Sequence, residues 1–251
     1  MGERKRIKAI IFDKDGTLLA FDPFWAKVAD AVLTALAKQL DVAHYLKVTP
    51  QYARKLIREK KLPAAMKRAV GLRGCVTEES SIIRKGTFKQ LAEAINAVLM
   101  EAKAPVRLSE QELETRFVQA AEVGDIRPTC DGLHELLERL RGKGILLFLV
   151  TTDIPSITFR CLDGLGITGC FREIIADDGK MPPKPDPAAI CYLLKKYRIS
   201  PDEVCMVGDT QTDMDFARNG GILGISVGEG AANNLGNAQI ANVSCLETVI
   251  Q

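Results

Sequence analysis

The hydrophobic pattern of the chain changes twice along its length. Ala9 to Phe12 is a short apolar run of β-branched and aromatic residues, which predicts a buried strand. From Phe21 to about Glu122 the apolar residues recur at helical spacing, and there is almost no strand signal. From Arg127 onward, segments with the pattern of strands alternate with segments with the pattern of helices.

The second half of the chain contains four further segments that predict strands. They are residues 145–150, 172–175, 203–207 and 222–227. Helices are predicted between them, over residues 133–140, from just after Val150 to about Leu165, and over 187–197. Apolar runs without a polar break are typical of parallel strands that are covered on both faces. The pattern therefore predicts an α/β fold built on a doubly wound parallel sheet.

The helical stretch is predicted to be an inserted all-helical cap domain. We expect residues 1–20 and 126–251 to form the α/β core domain, and residues 21–125 to form the cap. Within the cap, Asp22 and Pro23 are predicted to supply an N-cap and a first-turn proline, and Pro50 and Pro63 to open the next helices. A further amphipathic face runs from Phe88 to Leu99, and a capping box at Ser109 predicts the last helix.

The first strand ends in two carboxylates. Asp13 and Asp15 alternate along an extended chain, so their side chains are expected to point the same way. Two like charges this close are costly unless a cation or a shared proton lies between them, and oxygen ligands of this kind suit Mg²⁺. The alternative is an Asp-Gly turn that closes a hairpin, with both carboxylates in solvent. Taken alone, this fragment favours neither interpretation.

Polar residues also follow the later strands. Thr151 follows Val150, and Asp209 and Asp213 follow the strand that ends at Val207. Lys184 lies between them in a proline-rich loop just ahead of a helix. Each residue alone has an ordinary explanation as a helix cap, a solvated charge or a turn. Because the carboxyl ends of parallel strands meet at one edge of a sheet, the combination instead predicts one polar crevice.

Composition and charge narrow the class of protein. With 251 residues, 47% of them hydrophobic, the chain can bury a substantial core. A net charge of +2 argues against a general nucleic-acid binder, and no apolar stretch is long enough to span a bilayer. The seven cysteines never form a Cys-x-x-Cys motif, which indicates reduced thiols. We therefore expect a cytoplasmic protein that binds neither nucleic acid nor membrane.

These motifs resemble the four motifs of the haloacid dehalogenase-like (HAD) hydrolase superfamily. Asp13-Lys14-Asp15-Gly16-Thr17 matches the first motif, Thr151 the second, Lys184 the third, and Gly208-Asp209 with Asp213 the fourth. An insertion after the first motif is similar to the helical cap of the phosphoglycolate phosphatase and β-phosphoglucomutase branch. Many members of that branch carry a further Asp where this chain has Ala20, which weakens assignment to one subfamily.

The resemblance implies a phosphoryl-transfer mechanism. Asp13 would be the nucleophile that forms an aspartyl-phosphate, and Asp15 would be the general acid and base. Mg²⁺ would be held by Asp13, the backbone carbonyl of Asp15 and Asp209, with Asp213 as a further ligand or a nearby partner. Thr151 and Lys184 would bind phosphoryl oxygens. Dehalogenases of the superfamily lack the acid/base carboxylate, so a dehalogenase fits poorly.

The cap carries an excess of positive charge. Residues 47–89 contain twelve lysines and arginines against three glutamates. Arg54, Arg58 and Lys61 share a helical face. The candidates for substrate binding are the turn residues of the cap and one residue beside the second motif: Arg73, Arg84, Lys85 and Thr152. The alternatives are an ordinary solvated helix surface and a docking surface for an acidic partner.

The leading prediction for function is a Mg²⁺-dependent phosphatase acting on a small phosphorylated metabolite. The first alternative is a phosphomutase of the β-phosphoglucomutase type, which would return the phosphoryl group to a sugar. The second alternative is a non-catalytic binding protein that has kept the fold. The presence of every motif residue argues against that last class, since a protein without activity would be expected to lose some of them.

Overall fold

The computed structural model describes residues 6–41, 61–102, 104, 106–228 and 236–250 of the chain. Contacts between Cα atoms divide the chain into two compact units. The first, called here the core unit, consists of Met1–Ala20 and Ile126–Gln251. The second, called here the inserted unit, is Phe21–Asp125. The chain therefore leaves the core unit after its first strand and returns to it once.

In the described residues, six strands form one sheet in the core unit and two form a short pair in the inserted unit. In chain order they are β1 (Ala9–Phe12), β2 (Leu72–Arg73), β3 (Val76–Thr77), β4 (Leu146–Val150), β5 (Glu173–Ile175), β6 (Val204–Gly208), β7 (Leu223–Val227) and β8 (Ala238–Ile240). The sheet has the order β5-β4-β1-β6-β7-β8, and every neighbouring pair is parallel. The predicted parallel sheet is confirmed.

The sequence pattern does not predict β8 or the β2–β3 pair. Each of these strands has only two or three residues, too few for an alternating pattern to stand out. In the inserted unit, β2 and β3 pair antiparallel, with Leu72 opposite Thr77 and Arg73 opposite Val76. The inserted unit is therefore mostly helical, with one small hairpin.

Most of the helices follow the predicted pattern, but those over Ile82–Lys85 and Gln211–Asn219 were not predicted. The helices are α1 (Phe21–Asp41), α2 (Lys61–Ala69), α3 (Ile82–Lys85), α4 (Phe88–Glu101) and α5 (Glu110–Ala120) in the inserted unit, then α6 (Leu133–Gly142), α7 (Pro155–Gly164), α8 (Ala188–Tyr197) and α9 (Gln211–Asn219) in the core unit. Ser109 caps α5 as predicted, its side chain accepting a hydrogen bond from the amide of Glu112. None of the described helices combines the length and the apolar content needed to cross a membrane.

The start of the first helix of the inserted unit differs from the prediction. The predicted N-cap at Asp22 is wrong, because α1 already begins at Phe21 and Asp22 lies in its first turn. There the Asp22 carboxylate accepts a hydrogen bond from the amide of Thr77 at 3.1 Å, so it holds the hairpin. The helix predicted from Pro50, which carries Arg54 and Arg58, lies outside the described residues, and so does the side chain of Lys61.

Strand β1 is buried on both faces of the sheet. Ile10 and Phe12 pack into one hydrophobic cluster with residues of α6, while Ala9 and Ile11 pack into the other with residues of α8 and α9. All four side chains are at most 1% exposed. Successive side chains of a strand point to opposite faces, so a central strand between two helical layers is apolar at every position. This is why the first strand has no polar break before Asp13.

Candidate active site at the carboxyl edge of the sheet

Three neighbouring strands bring the predicted site residues to one edge of the sheet. β1 pairs with β4 on one side and with β6 on the other, in a register that places the ends of the three strands together. Asp13 follows β1, Thr151 follows β4 and Asp209 follows β6. The amide of Asp13 still donates to the carbonyl of Val207 in β6, at 2.9 Å. The predicted crevice is therefore built by adjacent parallel strands.

Three carboxylates converge at this edge. Asp13, Asp209 and Asp213 have carboxylate oxygens that all lie within 4.8 Å of one another. Asp13 and Asp213 are buried, and Asp209 is half-buried. Carboxylates this close repel one another unless a cation or shared protons lie between them. A set of oxygen donors is suited to a hard divalent cation such as Mg²⁺.

Lys184 supplies one positive charge to this group. Its Nζ atom donates to Asp13 Oδ1 at 2.5 Å and to Asp213 Oδ1 at 2.6 Å. The side chain is only 3% exposed, and the peptide bond between Lys184 and Pro185 is cis. The lysine that was predicted from the third motif thus lies directly against two of the three carboxylates.

The pKa values show that one lysine does not neutralise the group. Burial, together with the charges of Asp213 and Asp15, raises the pKa of Asp13 from 3.8 to about 7, although the Lys184 ammonium opposes this shift. Burial and the charges of Asp13 and Asp213 raise the pKa of Asp209 to about 8. Burial alone would lower the pKa of Lys184, but Asp13 and Asp213 outweigh it and the pKa is raised. A further cation is therefore electrostatically favoured here.

The Gly-Thr pair of the first motif positions Asp209. Gly16 has a φ of +82°, and a Cβ atom at this position would lie 2.0 Å from Asp209 Oδ2. The buried Thr17 hydroxyl donates to Asp209 Oδ1 at 3.2 Å. Thr129, which belongs to none of the four motifs, donates its hydroxyl to the Thr17 carbonyl at 2.6 Å. The turn after β1 and the end of β6 therefore fit together only with glycine at position 16.

Asp213 is fixed by the start of α9, a helix that the sequence pattern did not predict. The Thr210 hydroxyl accepts from the Asp213 amide at 3.3 Å and donates to Asp213 Oδ2 at 2.6 Å. The other oxygen, Oδ1, accepts from Lys184. Both oxygens of Asp213 therefore have protein donors. The spacing Thr210-x-x-Asp213 is a form of capping box, and it is the signal that could have predicted the helix.

Asp15 has a different partner from Asp13. The extended chain ends at Phe12, and the amides of Leu18 and Leu19 both turn back to donate to the Lys14 carbonyl at 2.9 Å. The Asp15 carboxylate is not one of the three clustered carboxylates, although its charge helps to raise the pKa of Asp13. It lies 2.7 Å from the ammonium of Lys14 instead. The contribution of the Asp15 backbone carbonyl to a metal site stays a prediction.

Lys14 and Asp153 were given no role from the sequence. Lys14 is fully buried, and its Nζ atom lies 3.1 Å from Asp153 Oδ2 as well as close to Asp15. Burial raises the pKa of Asp153 to about 6 against the opposing charge of Lys14. The sequence did contain a hint of this pairing, since Lys14 directly follows a buried strand and lies between two carboxylates. Lysine is rarely buried unless it is paired.

The two threonines after β4 differ in exposure. Thr151 is buried, and its hydroxyl accepts from the amide of Asp153 at 3.2 Å. Thr152 is exposed. Thr151 therefore lies at the carboxyl edge as predicted, with a hydroxyl that still has a proton to donate. The roles of both residues toward a phosphate stay predictions.

The three cap candidates lie in the inserted unit. Arg84 donates to Asp22 Oδ1 at 3.1 Å and to the Thr77 hydroxyl at 2.7 Å, and its guanidinium stacks 4.3 Å above the ring of Phe21. Exposed Arg73 pairs with Glu78, and Lys85 is exposed. The contacts of Arg84 give it a structural role within the inserted unit. Substrate binding by Arg73, Arg84 and Lys85 stays a prediction.

A second group of possible metal ligands lies elsewhere in the core unit. It consists of His134, Glu138 and Cys170. Glu138 accepts hydrogen bonds from Arg141 at 2.5 Å and from the Cys170 thiol at 3.4 Å. Burial and the hydrogen bond to Glu138 raise the pKa of Cys170 to about 11. We assign no metal to this group.

Comparison with known proteins identifies relatives that match most of this chain. The family model for haloacid dehalogenase-like hydrolases matches residues 7–221. A phosphoglycolate phosphatase from Vibrio vulnificus is 28% identical over 225 residues, which cover 87% of this chain and 82% of the relative. The family match includes all four motifs of the carboxyl edge, since Asp13 and Asp213 both lie within the matched range.

Two solved structures share the fold. A crystal structure of a predicted phosphoglycolate phosphatase from Haemophilus somnus superimposes with a TM-score of 0.66 at 20% identity, covering 100% of both chains. The HAD-hydrolase YfnB from Bacillus subtilis, whose crystal structure is bound to magnesium, gives a TM-score of 0.62 at 18% identity and covers 98% of this chain and 99% of its own. At these identities the likeness concerns the fold.

In the absence of divalent cations, the stability of the protein should fall as pH rises from about 4 to about 8. The pKa values of Asp153, Asp13 and Asp209 are about 6, 7 and 8, above the ordinary value of 3.8. The folded chain therefore keeps protons that the unfolded chain has lost. The stabilisation is complete below the ordinary pKa and is lost as pH rises through each folded value.

Urea unfolding in the presence of a chelator measures this effect. The Asp209→Asn variant is the control, because it lacks one of the titrating carboxyls and should show a flatter dependence on pH. As pH rises, the unfolding free energy of the wild type should fall more than that of the variant. An equal difference at both ends of the pH range would contradict the prediction.

Gly16→Ala should abolish activity, whereas Gly144→Ala should not. Both glycines have a φ near +80°, so alanine is strained at either position and each variant should lose about 1 kcal/mol or more of stability. Only at Gly16 would the new Cβ overlap Asp209; at Gly144 nothing lies within 4 Å. Thermal unfolding and hydrolase assays of the two purified variants test this. A Gly16→Ala enzyme as active as the Gly144→Ala enzyme would show that this contact is unimportant.

Proposed function

We propose that the chain, which belongs to the haloacid dehalogenase-like hydrolase family, is a Mg²⁺-dependent phosphatase acting on a small-molecule phosphate monoester. The observation that carries this proposal is the buried group of Asp13, Asp209 and Asp213 with Lys184 between two of its members. Such a group can hold a cation and an anion next to each other. Asp15 provides a further carboxylate outside the group, in a position to exchange protons.

The donor set fits Mg²⁺. Asp13 and Asp209 are the proposed ligands, and their raised pKa values indicate that a cation is needed before both can ionise at neutral pH. Asp213 is proposed to act mainly by holding Lys184, because both of its oxygens already accept hydrogen bonds. When bound, Mg²⁺ would supply the positive charge that lets an anionic carboxylate approach an anionic phosphate. The magnesium-bound structure of the similar B. subtilis YfnB supports this choice.

In the first step, an Asp13 carboxylate oxygen attacks the phosphorus atom. The bond between phosphorus and the leaving oxygen breaks, and the leaving oxygen takes a proton from the Asp15 carboxyl. The products of this step are the free alcohol, an aspartyl-phosphate on Asp13, and an ionised Asp15. Asp13 lies at the end of a buried central strand, which holds the nucleophile in place. Little conformational entropy therefore remains to be lost when it attacks phosphorus.

In the second step, water hydrolyses the aspartyl-phosphate. The ionised Asp15 takes a proton from the water as its oxygen attacks phosphorus, and the bond between phosphorus and the Asp13 oxygen breaks. Inorganic phosphate leaves, and Asp13 and Asp15 return to their starting states. Lys184 and Thr151 are proposed to donate hydrogen bonds to the phosphoryl oxygens in both steps, where negative charge builds up.

The proposed substrate is a small phosphate monoester, and phosphoglycolate is the first to test. The similarity to the phosphoglycolate phosphatase from V. vulnificus supports this choice, at 28% identity. The residues of the carboxyl edge act on the phosphoryl group itself, so they are compatible with many leaving groups. A panel of phosphorylated metabolites with phosphoglycolate among them identifies the preferred one.

Asp13→Asn should lower Mg²⁺-dependent phosphate release by at least about 10³-fold, because an amide offers no anionic oxygen to attack phosphorus. The fold should survive, since asparagine has nearly the same volume and its amide oxygen can still accept from Lys184. Thermal unfolding should be unchanged or raised, because one of three clustered carboxylates is gone. The exposed Asp131→Asn change is the matched control and should leave activity unchanged. Activity near that of the wild type in the Asp13→Asn variant would exclude Asp13 as the nucleophile.

A phosphatase should release inorganic phosphate steadily, in equal amount to the alcohol, with no added sugar phosphate. Asp15→Asn should strongly lower the kcat of this release for both substrates, because the second step uses the Asp15 carboxylate as a base whatever the leaving group. Phosphate and alcohol are measured in parallel with phosphoglycolate and with p-nitrophenyl phosphate. The mutase alternative predicts the reverse: negligible phosphate release, and an isomerisation of a sugar phosphate that a bisphosphorylated sugar activates.

A further inference from the structure

Lys14 is a buried lysine with no role in the mechanism above. Lys14 and Lys184 are the two lysines among the buried residues that the structure describes, and Lys14 has no exposed surface at all. An ammonium ion is costly to remove from water unless carboxylates surround it. Breaking such a pair is expensive, yet a complete buried pair often adds little stability compared with apolar packing. Stability alone therefore does not explain why a lysine is buried at position 14.

The Lys14 ammonium joins two carboxylates from different strands. Its Nζ atom lies 2.7 Å from Asp15 Oδ2 and 3.1 Å from Asp153 Oδ2. The side chain of Asp153 is 9% exposed and that of Asp15 is 18% exposed. Asp15 follows β1, whereas Asp153 follows β4. The lysine thus ties the residue proposed as acid and base to the neighbouring strand end.

Asp153 is itself held firmly. Its Oδ1 atom accepts from the amide of Ile154 at 2.9 Å, which leaves Oδ2 for Lys14. Its carbonyl accepts from the amide of Asp177 at 2.9 Å, and its own amide donates to the Thr151 hydroxyl at 3.2 Å. Asp153 can therefore serve as a fixed anchor for the ammonium.

We propose that Lys14, anchored by Asp153, is a positioning residue that orients the carboxyl group of Asp15 for proton transfer. The lysine has no exposed surface, so it acts through Asp15 and does not touch the substrate. The ammonium contacts Asp15 through its Oδ2 atom, at 2.7 Å. This inference rests on the proposed function, in which Asp15 protonates the leaving oxygen.

The consequence depends on the leaving group. An alkyl oxygen such as that of glycolate must be protonated as it leaves, so a misaligned Asp15 should slow its departure strongly. p-Nitrophenolate is a stable anion and can leave without a proton. The value of kcat/KM reports only the steps up to cleavage of the ester. The later role of Asp15 as a base in hydrolysis of the aspartyl-phosphate therefore does not affect kcat/KM. A purely structural loss would instead lower kcat/KM equally for both substrates.

The test compares kcat/KM for phosphoglycolate and p-nitrophenyl phosphate in wild type, Lys14→Met and Asp15→Asn. In Lys14→Met we expect a loss of about 10- to 100-fold for phosphoglycolate and less than about 3-fold for p-nitrophenyl phosphate. Asp15→Asn should show the same selectivity with larger losses. Lys143→Met, which removes an exposed lysine paired with Glu247 at 2.6 Å, should change neither value.

The two proposals fail in different ways. Equal losses for the two substrates in Lys14→Met, or no loss, with selective losses in Asp15→Asn, would overturn the role of Lys14 alone. A wild-type protein without phosphatase activity, or an Asp15→Asn variant that loses both substrates equally in kcat/KM, would overturn the proposed function and this inference with it.

Two further variants keep the test decisive if Lys14→Met does not fold. Asp153→Asn leaves Lys14 paired with Asp15 and removes only the charge of the anchor, so it should show the same selectivity to a smaller degree. The double variant Lys14→Met with Asp153→Asn leaves no unpaired Asp153 charge and should fold, with selectivity at least as strong as in Asp153→Asn. Loss of selectivity in both variants would overturn the inference.

Discussion

The repulsion between buried carboxylates is the constraint on which the rest of the core unit depends. Asp13, Asp209 and Asp213 lie close together, and burial and mutual repulsion raise the pKa of Asp13 to about 7 and that of Asp209 to about 8. Such a group persists only where the surrounding structure holds it rigidly. The central strand, the turn at Gly16 and the start of α9 each fix one carboxylate. The fold maintains an electrostatically unfavourable arrangement that a cation and a phosphate can together make favourable.

The two buried lysines divide the site by charge. Lys184 contacts Asp13, the proposed nucleophile and metal ligand, and Asp213, while Lys14 contacts Asp15 and Asp153. Each lysine is shared by two carboxylates, so neither half is fully neutralised by protein charges alone. Residues of adjacent strands thereby keep separate partners although they lie at the same edge of the sheet.

Hydrogen bonds in the turn after β1 hold these charged residues in place. The amides of Leu18 and Leu19 turn back onto the Lys14 carbonyl, and Thr17 reaches from the same turn to Asp209. Gly16, in the same turn, has a left-handed backbone and lies directly against Asp209. A single tight turn therefore contains the paired Lys14 and Asp15 and supports Asp209 at the same time.

The sequence by itself determined the parallel sheet, most of its helices, and the residues that meet at its edge. It could do so because apolar periodicity and strand ends are local features, as in β1 and Asp13. Only the tertiary structure decided the partners of each charged residue. Asp15 pairs with Lys14, and Lys14 meets Asp153, because the chain bends after Phe12 and β4 lies beside β1. The order of the strands predicts which residues meet at the edge, but the choice of ion-pair partners among them leaves no periodic trace in the sequence.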